Sequence, residues 1–197
     1  MKAVLDACVL FPTVLREILT DPALCAVYTP LWSLRILEEW RRAADRQGLA
    51  AGVEIALLES RLPQSMVTPA GGAEGLDLPD PDDRHVVEAA LAAGTDLIVT
   101  ANLRDFPRGA LAALGLRALH PDEFLRDLYL RAPEPVLEAV AATGRRAHAA
   151  GGTLDRAELL RRARLPRLAK AIARLDGDGK AGAEPMSSAM ARAGKAK

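Results

Sequence analysis

Residues 80–105 read DPDDRHVVEAALAAGTDLIVTANLRD, and two neighbouring signals in this stretch decide the fold. Asp80-Pro81 starts a helix: a capping side chain is followed by proline at the first helical position, and the acids at 82 and 83 suit the helix dipole. That helix ends at Gly94. Asp96 to Thr100 then forms a strand, apolar throughout its middle and bounded by turn residues. Short apolar strands alternating with helices argue for an α/β fold with a central parallel sheet covered on both faces.

Working outward towards the N-terminus, Ala3 to Val9 reads as a buried strand interrupted by Asp6 near its end. Pro12 opens a helix to about Thr20, which Asp21-Pro22 stops. Cys25 to Tyr28 is a candidate second strand. Thr29-Pro30 again pairs a cap with proline, so a helix is expected from there to about Gln47, closed by Gly48. Another helix follows to Leu62, then a short strand at 66–68 and a Gly- and Pro-rich loop over 69–79. Towards the C-terminus, Leu116 to Leu119 is the last expected strand, and Pro121 starts a helix. The α/β domain is placed at 1–130. Ala- and Arg-rich helices are expected at about 133–148, 153–163 and 165–175 as a helical extension, and residues 176–197 as a disordered tail.

Twenty-six bases balance 26 acids, so the formal net charge is zero, but the charges are unevenly placed. Residues 74–83 carry five acids and no base, whereas residues 145–170 carry eight Arg or Lys against two acids. Such asymmetry points to one site that gathers cations and a separate surface that meets anions. The N-terminus is too short and too charged for a signal peptide or a span, so a soluble cytoplasmic protein is expected. Cys8 and Cys25 read as small buried hydrophobes. Asp176-Gly177-Asp178-Gly179 lacks the spacing and terminal Glu of a calcium loop.

Four acids stand out by position. Asp6 closes a buried strand, and ligands of parallel sheets bind beyond such strand ends; capping of the next helix is the plainer account. Trp32, Ile36, Glu39 and Ala43 fall on one helical stripe, so Glu39 interrupts an apolar face, at a cost unless it is paired or metal-bound. Glu38 falls beside Arg41 and Arg42, where an exposed ion pair explains it. Asp83 serves equally well as a capping acid or a ligand. Asn102 and Asp105 follow the strand that ends at Thr100. Carboxylates brought together from strand ends and helix faces repel one another, and a divalent cation relieves that repulsion. An all-oxygen donor set suits Mg²⁺ or Mn²⁺, ions whose usual chemistry is phosphoryl transfer.

VLDACVL with Asp6, ILEEW with Glu39, DPDDRHVVEAAL with Asp83 and DLIVTANLRDFP with Asn102 and Asp105 together resemble the PIN-domain ribonucleases, and among them the VapC-type toxins. The resemblance covers roughly residues 1–125. It implies a metal-dependent endoribonuclease for single-stranded RNA, acting as the toxin of a type II pair with a cognate antitoxin protein. It implies that Asp6, Glu39, Asp83 and Asp105 hold Mg²⁺ or Mn²⁺, with Asp6 and Asp83 as direct ligands and Asn102 orienting water or phosphate. The fourth acidic position falls to Asn102 or Asp105, and the oligomer, a homodimer among the options, stays open. Cys8 stands where the family often has a small hydroxyl residue, which removes a hydrogen bond. Water attack leaves a 5′-phosphate and a 3′-hydroxyl. His85, His120 and His148 read as surface or helix-end residues, and no His or Lys is placed to act as a base. The Arg cluster at 161–167 suits RNA phosphates, a partner or plain solvation. Two competing readings are a catalytically degenerate scaffold of the same fold and a haloacid-dehalogenase-type phosphatase. The phosphatase needs an acid where Cys8 stands.

Overall fold

The computed structural model describes residues 1–181, with side chains through residue 175. Its centre is one five-stranded sheet of β1 (Lys2–Leu5), β2 (Thr29–Ser33), β3 (Met66–Val67), β4 (Leu97–Val99) and β5 (Arg117–Leu119). Every pairing is parallel and the order is β3-β2-β1-β4-β5. Val4 of β1 sits opposite Leu31 on one side and Ile98 on the other, and Ala3, Val4 and Leu5 are wholly buried. The chain leaves β1 in one direction for β2 and later returns to its other side as β4. That reversal opens a crevice beyond the C-terminal ends of β1 and β4.

Helices cover the sheet: α1 (Ala7–Leu10), α2 (Thr13–Leu24), α3 (Leu34–Asp45), α4 (Gly52–Arg61), α5 (Arg84–Ala93), α6 (Arg108–Ala112) and α7 (Pro121–Arg131). The turn of Pro81–Asp83 that leads into α5 is a tight 3-10 turn, with Asp80 Oδ1 accepting from the Asp82 N–H at 2.9 Å. Gly94, at φ +59°, ends α5 in the left-handed conformation that glycine adopts without strain.

The strand expected to reach Val9 ends at Leu5, with Ala7–Leu10 helical, and three further expectations fail near the N-terminus. Residues 25–28 form no strand, and Thr29-Pro30 does not start a helix but lies in β2. Proline is tolerated there because of register. Thr29 N–H donates towards β1, to the Met1 carbonyl at 2.9 Å, whereas Trp32 N–H donates towards β3, to the Ser65 carbonyl at 2.9 Å. Pro30 therefore faces the β3 side, where pairing begins only at Trp32, and its missing N–H breaks no ladder bond. The helix starts instead at Leu34, capped by Ser33 Oγ, which accepts from the Ile36 N–H at 3.3 Å. Third, α2 runs through Asp21-Pro22 to Leu24. Arg61 and Arg146 grip Asp21 at 2.7 and 2.6 Å, and Pro22 is buried with Ile18 and Leu19, so packing outweighs one lost helical bond.

Beyond α7 come α8 (Pro133–Ala149), α9 (Arg156–Arg162) and α10 (Pro166–Ala181). Helix α10 runs past residue 176, where the tail was expected to begin; residues 182–197 lie outside the described residues. Helix α8 packs along α2, and Arg146 reaches Glu17 at 2.8 Å as well as Asp21. Val136, Val140, Leu159, Leu160, Leu165, Leu168 and Ile172 join the same continuous buried cluster as the strands. One buried acid ties this region down. Asp122, on α7 and 4% exposed, accepts from the backbone N–H groups of Arg167 and Leu168, each at 3.0 Å, at the start of α10. Helix amides lacking an internal partner are thus satisfied by a side chain from another helix. Replacing Asp122 with Ala strands those amides and should lower unfolding stability by about 1–3 kcal/mol. Urea titration of wild type, Asp122→Ala and Asp122→Asn checks this, with Asn retaining part of the loss; a change within about 0.5 kcal/mol, as at an ordinary surface site, shows that the cap carries no weight.

Candidate active site

Asp6 occupies the end of β1 and is 6% exposed. Its backbone N–H continues the sheet by donating to the Val99 carbonyl at 3.1 Å. Its carboxylate is held from two elements. Thr100, completely buried just after β4, donates its hydroxyl to Asp6 Oδ2 at 2.7 Å. The Cys8 thiol donates to the same oxygen at 3.0 Å and lies 3.4 Å from the Thr100 hydroxyl, while Ala101 N–H donates to Cys8 Sγ at 3.2 Å. The expectation that Cys8 forgoes the bond of a hydroxyl residue is therefore corrected: the thiol makes it. Burial, and then the Asp6 charge, push the Cys8 thiol up to about 12, so it stays a neutral donor. Cys25, expected to be buried, is exposed.

Around Asp6 lies a cleft of roughly 540 Å³ lined by Glu39, Asp80, Asp82, Asp83 and Asn102 among others. Arg42, Arg46 and Gln47, at the end of the helix that carries Glu39, line it as well. Asp83 lies at the entry to α5. Its carboxyl is pushed up to about 6, first by burial and then by the charges of Asp6, Asp80, Asp105 and Glu39. Four acids from separate segments therefore bear electrostatically on one carboxyl. Asp105 contributes to that field from the turn after β4 and is 20% exposed on its side chain, beside Arg104 at 3.5 Å. Asn102 is exposed at the cleft wall, its backbone N–H donating to Thr100 Oγ1 at 3.0 Å.

Glu39 sits at the edge of the buried face of α3, whose buried residues are Ile36, Leu37, Trp40 and Ala44. Trp32 belongs to β2, so the helical stripe expected through it begins only at Ile36. Glu38 points to the exposed side and binds Arg41 at 2.6 Å, with Arg42 at 3.9 Å. Behind Glu39 stands His85, the second residue of α5 and so a helix-end residue as expected, but 3% exposed and therefore not a surface one. Its Nε2 is 2.7 Å from Glu39 Oε1, although neither ring nitrogen makes an aligned hydrogen bond. His85 is buried because α5 lies against the sheet and α3, which encloses its second residue. Sequence reasoning also passed over Thr100; its place one residue beyond a buried strand, level with Asp6, was the signal available.

Among the described residues, no three His, Cys, Asp or Glu side chains converge closely enough to enclose an ion. The arrangement does bring the carboxylates of Asp6, Glu39, Asp80, Asp82 and Asp83 to one cleft that Arg42 and Arg46 also line.

A family model described as the PIN domain matches residues 2–104. That range takes in Asp6, Glu39, Asp83 and Asn102 and ends one residue before Asp105. Over 58 residues the chain is 47% identical to the protein named "Putative ribonuclease VapC50" of Mycobacterium tuberculosis, a stretch that makes up 28% of this chain and 34% of that protein. The match thus spans about a third of the relative's length. No solved structure matches the chain. No helix among the described residues is long and apolar enough to cross a membrane. With the parallel sheet, the cleft at its switch point and a family match over just over half its length, the chain belongs to the PIN-domain family.

Proposed function

We propose that the chain is a Mg²⁺- or Mn²⁺-dependent endoribonuclease that cleaves single-stranded RNA and serves as the toxin of a type II toxin–antitoxin pair. One observation carries the catalytic part: Asp6, Glu39, Asp80, Asp82 and Asp83 line one cleft, where burial first and then the neighbouring acids hold the Asp83 carboxyl above its usual range. Such crowding is unfavourable without a cation. The donors are all oxygens, as a hard ion requires, and Mg²⁺ commonly takes only one or two protein carboxylates plus water and substrate phosphate. Asp6 and Asp83 are the two carboxylates that would hold it. When bound, the cation supplies charge neutralisation at the scissile phosphate and activation of water.

The chain's own residues divide the remaining work. Thr100 and Cys8 hold Asp6 by donating to Oδ2, and Asp6 lines the cleft. His85 and Arg35, the latter 3.9 Å from Glu39 Oε1, hold the Glu39 carboxylate in place. His85 does not line the cleft, so its role is to orient Glu39 and not to take a proton from substrate. Arg42 and Arg46, which line the cleft, offer positive charge to an entering RNA backbone. A single strand bends into such a cleft where a duplex does not. The toxin role and the antitoxin rest on the similarity to the VapC50 protein. The division into a nuclease part at 1–130 and a helical extension at 133–175 is part of the same proposal.

The direct test is cleavage of a labelled single-stranded RNA. EDTA should stop it, Mn²⁺ should restore it, and the products should end in 5′-phosphate and 3′-hydroxyl; cyclic phosphate ends, or cleavage in EDTA, refute the carboxylate mechanism. In cells, induced wild-type protein without an antitoxin should arrest bacterial growth. Glu39→Gln should lower the cleavage rate by about 100-fold and relieve the arrest, while Glu38→Gln, altering the exposed pairs with Arg41 and Arg42, retains most of both; equal effects exclude a special role for Glu39.

The Asp83 shift has a signed consequence for stability. The folded state binds this proton more tightly than the unfolded chain does, so its contribution favours the fold at low pH and is lost as pH rises from 3.8 through about 6. Asp83→Asn removes the charge. In chelator at pH 7.5 it should raise Tm by about 2–4 °C, with no gain at pH 3.5, and Mn²⁺ should narrow the difference by stabilising only the wild type. A variant less stable than wild type at pH 7.5 contradicts this account of the cleft.

A further inference from the structure

A second recess lies directly beside the carboxylate cleft. It holds roughly 300 Å³ and is lined by Phe11, Pro12, Thr13, Trp40, Leu49 and Glu54 among others. Phe11 lines both spaces, so the recess continues the cleft past the corner between α1 and α2. Its walls combine aromatic and aliphatic surface with one carboxylate. Leu49 at the lip is 56% exposed, an apolar side chain left in solvent at the entrance.

The carboxylate is held in position from behind. Arg16 is 6% exposed and donates to the carbonyls of Leu10 and Phe11 at 2.6 and 3.2 Å, while its guanidinium lies 4.5 Å over the Trp40 ring. From that fixed seat its Nη2 reaches Glu54 Oε2 at 2.7 Å. Oε1 has no partner among the described residues, and the Glu54 side chain is 46% exposed. A buried cation thus fixes the orientation of a half-open carboxylate. Its remaining acceptor sites face a space with an aromatic wall.

We propose that this recess binds one unpaired nucleobase of the RNA, and that Glu54 selects guanine. The inference rests on the ribonuclease reading above. Unpaired bases in single-stranded RNA stack on aromatic side chains and are read along their Watson–Crick edges. A carboxylate only accepts hydrogen bonds. Guanine alone among the four bases offers two adjacent N–H donors on that edge, from N1 and the 2-amino group, and a carboxylate meets both. Phe11 supplies the stacking face, and its position between the two spaces sets the bound base within a few nucleotides of the scissile phosphate.

The test is a single-stranded RNA pool randomised at its centre, digested by the full chain with Mn²⁺, with new 5′ ends sequenced to map every cut. Guanosine should be enriched about tenfold at one fixed position within about three nucleotides of the cut. Glu54→Gln still accepts from Arg16 but presents a mixed amide; it should level the enrichment to within about twofold. Enrichment that survives Glu54→Gln, or cutting without base preference, overturns the base site and leaves the nuclease reading intact. Loss of all cleavage in wild type overturns the nuclease reading. Binding separates the two: in Glu39→Gln protein, anisotropy of a labelled guanosine-containing RNA should show about tenfold tighter binding than a guanosine-free one, and adding Glu54→Gln should equalise them. Equal binding before that second change refutes the recess as a guanine site.

Discussion

A carboxylate almost removed from water must be satisfied by donors, and at Asp6 this requirement joins the two central strands of the sheet. The side chain cannot take its donors from β1 itself. It takes one from Thr100 at the end of β4 and one from Cys8 in the first turn of α1. The backbone N–H of Asp6 bonds to Val99 in the same neighbourhood. The register of β1 against β4, the start of α1 and the direction of the Asp6 carboxylate are therefore consequences of one local network. Loss of the Thr100 hydroxyl leaves a buried acceptor short of a partner, a larger penalty than the bond's own net contribution.

The same economy of donors and charges runs through the molecule. Wherever an acid is buried away from the cleft, a partner meets it: Asp122 by the amides of α10, Asp21 by two arginines. In the cleft the pairing is only partial: Glu39 and Asp82 meet Arg35 and Asp105 lies beside Arg104, whereas Asp83 is surrounded by the charges of other acids. Asp83 is thus left in repulsion with its neighbours, which favours cation uptake.

The parallel sheet was legible because strands such as β4 are apolar on both faces, a pattern that local sequence carries directly. The entry to α5 was legible for a similar reason, since Asp80 caps and Pro81 follows in the chain itself. Thr29-Pro30 carries the same local pattern and was misread; what separates the two is that one faces an unfilled stretch beside β3, a fact about pairing and not about neighbours in sequence. The position of Glu39 survived an error in where α3 begins, because Ile36, Glu39 and Ala43 keep their relative angles whichever residue starts the helix. His85, Thr100 and Arg16 were missed, as was the capping by Asp122. Each is a polar group buried by elements distant in the chain, and composition or periodicity has no term for such a partner.

The sheet's outer strands have a consequence for how another protein chain can attach. β3 contributes two residues and β5 three. Edges that short offer little backbone for an incoming strand to zip onto, which guards the monomer against aberrant self-association. They also close the simplest route of recognition, in which a guest extends the host's sheet. Any protein guest is left to read side chains on helices and loops, and its specificity then resides in surface residues that can change without disturbing the sheet beneath.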